Sequence, residues 1–270
     1  MTARPGTGIL DVARVDRRSV VRRAYATSPL RLLTPANHGH AAWVYASSYG
    51  GGLVGGDALR LQISIGPGAA AFVSSQASTK VYRSGDHSSS HLDASVAPGG
   101  HLVLWPDPVV CYAGSTFRQA QRVELAAEAA LVLVDTMTSG RRASGERWQF
   151  VEYSNRLNVS YDGRSVVFDS TRLSASDGDL AARMGRFDVL SSVTIVGPRF
   201  QTEARAIAAS VAAQPIERRA DVLISASPIG DLGCLLRVAG RSIEQVGGVI
   251  RRYLCFLPRT LGDDPWARKW

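Results

Sequence analysis

Residues 50–84 read GGGLVGGDALRLQISIGPGAAAFVSSQASTKVYRS, with five glycines in the first seven positions and an aspartate directly after them. Gly50, Gly52 and Gly55 match the letters of the dinucleotide fingerprint G-x-G-x-x-G. That fingerprint works only when its last glycine opens a helix and an acid follows about 20 residues later. Here Leu59, Leu61, Ile63 and Ile65 alternate with Arg60, Gln62 and Ser64, the period of a half-buried strand, and no acid lies between Asp57 and Asp86. A P-loop is excluded too, because Asp57 stands where a Gly-Lys-Ser/Thr ending is needed. The glycines, Gly55 and Gly56 among them, therefore read as a strand-to-strand connection that needs positive φ, with Asp57 as a turn residue.

Outward from this stretch the chain continues in strands. Residues 41–49 fit the strand before the glycines, and 69–75, 101–105, 131–135, 148–153, 157–161, 165–168, 189–196, 221–226 and 234–239 are short apolar or alternating runs between turn signals. Asp162-Gly163, between LNVSY and RSVVF, is the strongest hairpin signal. Two segments have helical spacing instead: Ala204, Ile207, Ala208, Val211 and Ala212, and then Ile243, Val246, Ile250, Tyr253 and Leu257. The expectation is a mainly β protein with about two α-helices, mostly in the C-terminal third, as a single domain over residues 1–270. No sequence repeat is visible.

Composition narrows the function classes. Cys111, Cys234 and Cys255 are scattered and odd in number, which argues against a disulfide framework and for a reducing compartment, with all three as buried packing residues. Met1 to Gly8 lacks the apolar core of a signal peptide and no apolar run reaches membrane length, so a cytoplasmic protein without membrane contact is expected. The net charge of +8 is concentrated at the ends: residues 1–31 hold seven arginines and residues 237–270 hold seven basic residues. No interleaving of aromatics with a basic stripe accompanies them, so a protein-facing basic surface is favoured over nucleic acid.

Lys80, one of two lysines against 29 arginines, lies in Gln76-Ala77-Ser78-Thr79-Lys80-Val81-Tyr82-Arg83-Ser84. The order of Gly-Gly-Asp, strand, Gly-Pro-Gly turn, strand and then this segment resembles the urease accessory protein family UreD, also called UreH. Leu104-Trp105-Pro106-Asp107-Pro108 with Ala113-Gly114, Gly140-Arg141-Arg142-Ala143-Ser144-Gly145-Glu146, and the closing Ala267-Arg268-Lys269-Trp270 resemble further landmarks in the family's order. Ser48-Tyr49-Gly50 stands where the family usually has Pro-Pro-Gly, and Val103 where a glutamate is common.

The resemblance implies an elongated, β-helix-like stack of strands with two helices. It also implies a non-catalytic scaffold that binds urease structural subunits and UreF-like and UreG-like proteins, passing Ni²⁺ to the urease active site. Nothing would be tightly bound: nickel would be in transit, and GTP would belong to the partner. In relatives, acids matching Asp57, Asp135 and Asp169, with the hydroxyl matching Thr79, lie along an internal water-filled passage. Read alone, Asp135 and Asp169 each end an apolar run, where an acid can equally open a turn. Lys80, Arg83, Arg141 and Glu146 are candidates either to pair with buried acids or to face a partner, and Trp270 is a motif residue. His38 with His40, and His87 with His91 flanking a serine-rich loop, have no further ligands at a metal-binding spacing. The competing readings are a hydrolase using Cys111 or a serine with one of the five histidines, which has no G-x-S-x-G elbow behind it, and a basic protein-binding module unrelated to nickel.

Overall fold

The computed structural model describes residues 5–267 except 37, 216 and 218. The strands, in chain order, are β1 (Thr7–Val15), β2 (Arg18–Ala26), β3 (Leu30–Leu33), β4 (Ala42–Ser48), β5 (Ala58–Ile65), β6 (Ala70–Ser75), β7 (Thr79–Val81), β8 (Ser88–Val96) and β9 (His101–Trp105). They continue as β10 (Val109–Cys111), β11 (Thr116–Leu125), β12 (Ala130–Thr138), β13 (Glu152–Tyr161), β14 (Arg164–Ser174), β15 (Val189–Val196), β16 (Val222–Ile229) and β17 (Gly233–Gly240). The helices are α1 (Leu180–Met184), α2 (Gln201–Ala212), α3 (Ile243–Tyr253) and α4 (Leu257–Leu261). An outer sheet runs β14-β13-β11-β8-β5-β1-β2, and a middle sheet runs β16-β17-β15-β12-β9-β6-β4-β3, with β10 joining β12 to β7.

Successive strands alternate between the sheets, and each pairs in parallel with its counterpart one coil earlier: β5 with β8 and β8 with β11 in the outer sheet, β6 with β9 and β9 with β12 in the middle sheet. This is the expected β-helix-like stack. Its coils are closed by equivalent turns at Gly66-Pro67-Gly68-Ala69, Ala97-Pro98-Gly99-Gly100 and Ala126-Ala127-Glu128-Ala129. In each, the fourth residue donates to the first carbonyl at 2.9–3.1 Å, and the third has φ of 62°, 69° and 61° in turn. The first residue of each turn donates to the coil before it, at Val12, Ile65 and Val96. A structural repeat of about 30 residues thus exists. It escapes the sequence because a conformation recurs while the residues change, a left-handed glycine in two turns becoming Glu128 in the third.

The two sheets differ in burial. One side of the middle sheet packs against the outer sheet through Ala71, Val73, Leu102, Leu104, Leu131 and Leu133. Its other side carries Phe72, Val103, Val132 and Val134 against Ile207, Val246 and Ile250 of α2 and α3. Burial on both faces explains the unbroken apolar runs of β6 and β12, while β5 and β11 alternate because their sheet faces solvent on one side. The basic N-terminal segment takes part in this scheme, since Arg18, Arg22 and Arg23 are exposed on β2, an edge strand that charge protects from further pairing.

The Asp162-Gly163 hairpin forms with both residues at positive φ, 47° and 74°, as a two-residue turn between Tyr161 and Arg164 requires. Four expectations need correction. Residues 148–151 are not strand: Trp148 takes φ 56° and its indole donates to the Phe187 carbonyl at 3.0 Å. The serine-rich segment at His87 to His91 is largely β8, with Ser88 buried and Ser89 and Ser90 half-buried. The helical pattern from Ile243 to Leu257 is broken after Tyr253, where Pro258 is tolerated only because α4 starts afresh at Leu257. Cys255 is exposed, unlike Cys111 and Cys234.

Candidate functional site

Between the sheets the inward-facing positions change character along the strands. β11 runs Phe117, Gln119, Gln121, Val123, β13 runs Tyr153, Asn155, Leu157, and β14 runs Val167, Asp169, Thr171, Leu173 at alternate positions. Phe117, Tyr153, Leu173 and Met137 belong to one apolar cluster; Val123, Leu157, Val167 and Leu133 belong to another. The residues between them are polar, and Asp135 is the contribution of β12, two residues from both Leu133 and Met137. A polar layer therefore lies between the sheets at the β11–β14 end of the stack, while Leu59 and Leu61 hold the matching positions on β5.

Asp135 is 8% exposed. Gln119 Nε2 donates to Oδ1 at 3.1 Å, Gln121 Nε2 to Oδ2 at 2.6 Å and Asn155 Nδ2 to Oδ2 at 3.2 Å, while Ser191 Oγ donates to the Asp135 carbonyl at 2.9 Å. Burial pushes the Asp135 carboxyl above the usual carboxylate range, the three amides oppose the shift, and nearby Asp169 adds to it. The Tyr153 hydroxyl is likewise pushed well up, by burial and then by Asp135. Asp135 and Asp169 line one cavity of about 490 Å³, whose wall also includes Leu223 and Ser225 of β16 and the solvent-exposed Arg237 of β17. Arg237 reaches into it from β17 and pairs with Asp169 at 2.8 Å.

The other sequence-stretch candidates lie apart from this cavity. Asp57 closes a turn: its N–H donates to the Val54 carbonyl at 3.0 Å and its Oδ2 accepts the Val54 N–H at 2.9 Å, with Gly56 at φ 86°. Gly55 leaves no room for a methyl group, which would collide with Ser84. The opening glycines thus shape a connection and pack it against residues 80–86. Thr79 shares the inward face of β7 with buried Val81 and is in register with Val109, which is in register with Met137. It is two strands, or about 10 Å, from a residue of the cavity wall.

Arg141 and Glu146 pair with each other rather than with the buried acids. Glu146 also accepts the Ala113 N–H at 3.1 Å, and the Arg141 guanidinium lies 4.1 Å from the centre of the Tyr112 ring, itself edge-on to Tyr82. Arg83 lies against Gly114. These motif residues clasp three loops together. Lys80 is exposed on β7, and Trp270 lies outside the described residues.

The histidine pairs do not converge: His40 Nε2 lies 2.8 Å from the Thr260 carbonyl, and His87 contacts Asp86 at 3.0 Å. Among the described residues no three of His, Cys, Asp and Glu form a metal cluster. Burial pushes the Cys111 thiol up to about 12, which removes the thiolate a nucleophile would need.

Sequence reasoning missed Gln119, Gln121, Asn155 and Arg237. The available signal was polar residues in phase with the apolar ones along β11, β13 and β14, since such residues face inward with their neighbours.

Fold and site together define a β-solenoid protein with a polar layer between its sheets. The family model described as UreD urease accessory protein matches residues 4–270. The chain is 53% identical over 265 residues to a urease accessory protein UreD of Sorangium cellulosum, covering 98% of this chain and 84% of that one. It is 45% identical over 267 residues to that of Anaeromyxobacter sp., covering 98% and 90%, and 30% identical over 292 residues to urease accessory protein D of Arabidopsis thaliana, covering 97% and 99%. The chain belongs to the UreD family of urease accessory proteins and has a role in urease maturation. No helix among the described residues is long and apolar enough to cross a membrane.

Proposed function

We propose that this chain is a non-catalytic scaffold in urease maturation, acting in the cytoplasm, and that Ni²⁺ passes along its interior polar layer. It would bind the urease structural subunits and a UreF-like and UreG-like complex, with GTP handled by the latter. Nickel is cargo here and not a resident cofactor. The observation that carries the reading is Asp135, a carboxyl group buried between two sheets and held by neutral amides, in one cavity with Asp169. A stable core would be served better by apolar residues at these positions, since a buried acid without a contacting cation is costly. Oxygen donors spaced along a path suit transit, because a closed cage of nitrogen and sulfur ligands would retain the ion.

Asp135 and Asp169 would form the middle of the route, with Thr79 and Asp57 further along it. The test is to purify urease made with Asp57→Ala plus Asp169→Ala, or with Asp135→Asn, and to measure its nickel content at matched levels of assembled complex. Reduced loading with the complex intact is expected, and graded rather than abolished, because several weak sites tolerate the loss of one. Normal loading in these variants would end the reading.

A further inference from the structure

The inner face of β17 carries a cation where the polar layer meets solvent. Asp135, Ser192 and Arg237 are in register on three neighbouring strands, β12, β15 and β17. Arg237 therefore has its backbone about 10 Å from that of Asp135. Its side chain spans the opening to Asp169 on the outer sheet, so that the ion pair bridges the two sheets at the cavity mouth. The pair is lopsided: the Arg237 side chain is 51% exposed and the Asp169 side chain 20%.

An ion pair with one half-solvated member is held weakly, and the long arginine stem can carry its head into water without breaking any backbone hydrogen bond. Without Arg237, Asp169 and Asp135 would face the cavity with no positive charge between them, and a divalent cation would be retained. With it, the empty cavity is closed by a monovalent group that a doubly charged ion can displace. We propose that Arg237 is the gate of this cavity: in the empty protein its guanidinium holds Asp169, and an incoming divalent cation takes that position while the arginine swings to solvent. The proposal rests on the reading of the cavity as a nickel route.

The probe is Ni²⁺ itself, titrated into the full chain with labelled methyl groups, following the paramagnetic broadening of Leu190, Leu223 and Val238 at the cavity wall. Arg237→Gln is expected to broaden these signals at roughly 3- to 10-fold lower Ni²⁺ than the native chain, the scale set by losing one weak competing ion pair. Arg237→Lys keeps the charge and is expected to titrate like the native chain, which also separates loss of the gate from loss of folding. In complex with its partners, the Arg237→Gln chain should retain more nickel after gel filtration and deliver it to urease more slowly. Identical titrations for the native and Arg237→Gln chains, with broadening abolished by Asp135→Asn plus Asp169→Asn, would overturn the gate and leave the route standing. No broadening in the native chain at any nickel level would overturn both.

Discussion

Acidification should weaken this fold through His101, before the acid-labile carboxylates contribute. His101 is 4% exposed under α4, and burial together with the charge of Arg199 lowers its pKa to about 4; His40 acts in the same sense and the nearby Thr260 carbonyl opposes the shift. The unfolded chain binds a proton at this residue near pH 6.5 while the folded chain does not, so stability is complete above pH 6.5 and falls as the pH drops towards 4. With those two values the loss between pH 7.5 and 5 is about 2 kcal/mol, a large share of a domain's net stability. Glu146, Glu152 and Glu244 are held below their usual range and contribute stability until the pH falls below about 4.5, outside this window. Asp135, pushed upward, acts in the opposite direction, so the measurement must be comparative. Urea unfolding of the native chain and of His101→Leu across pH 5–7.5 isolates the residue. The native midpoint should fall on acidification by an amount equivalent to about 2 kcal/mol more than that of the variant. Equal slopes for the two chains would refute the reasoning that His101 is buried neutral.

Thiol chemistry should separate the cysteines: a chromogenic disulfide reagent is expected to titrate Cys255 alone in the native chain, and Cys111 and Cys234, pushed up to about 12 and 11, only after denaturation. Gly56→Ala should cost about 1 kcal/mol, because its methyl group has open space but φ of 86° is strained for any residue with a Cβ, and chemical denaturation would check this. Glu146→Ala and Arg141→Ala should each lower the melting temperature, the first by removing the acceptor for the Ala113 N–H along with the ion pair, the second by removing the Tyr112 ring contact along with it. Differential scanning fluorimetry of the two variants would decide it, and an unchanged melting temperature in either would count against the clasp.

Legibility followed the physics of each element. β5 was readable because one face meets water and its pattern has period two, and Asp162-Gly163 because positive φ at two successive positions restricts the residues available. β8 was hidden because Ser88, Ser89 and Ser90 carry no hydrophobic contrast, although the backbone pairs with strands on both sides. Trp148 and Phe150 looked like strand residues because they are apolar and buried, which sequence cannot separate from a packed loop. At the site, the acids drew notice as acids. Gln119 and Arg237 had no distinguishing mark, because what matters about them is which residue lies across the gap between sheets, and that is fixed by coil register. The family resemblance supplied the fold that periodicity alone did not.

The coil-closing turns have a consequence for how such a chain can change its length. Each interior position is defined by counting along a strand from its turn, and removal of one residue inside a strand would rotate every later side chain to the opposite side, bringing the polar layer out and charged residues in. Single-residue changes are therefore tolerated between strands, or at a register shift such as those between Asp11 and Val12 in β1 and between Val159 and Ser160 in β13. The one larger unit that can be added without disturbing that count is a whole coil of about 30 residues, laid parallel on its neighbour about 4.8 Å further along the stack. Such a duplication would lengthen the space between the sheets by one rung and leave its cross-section unchanged, so the length of the stack is a trait that can evolve in discrete steps.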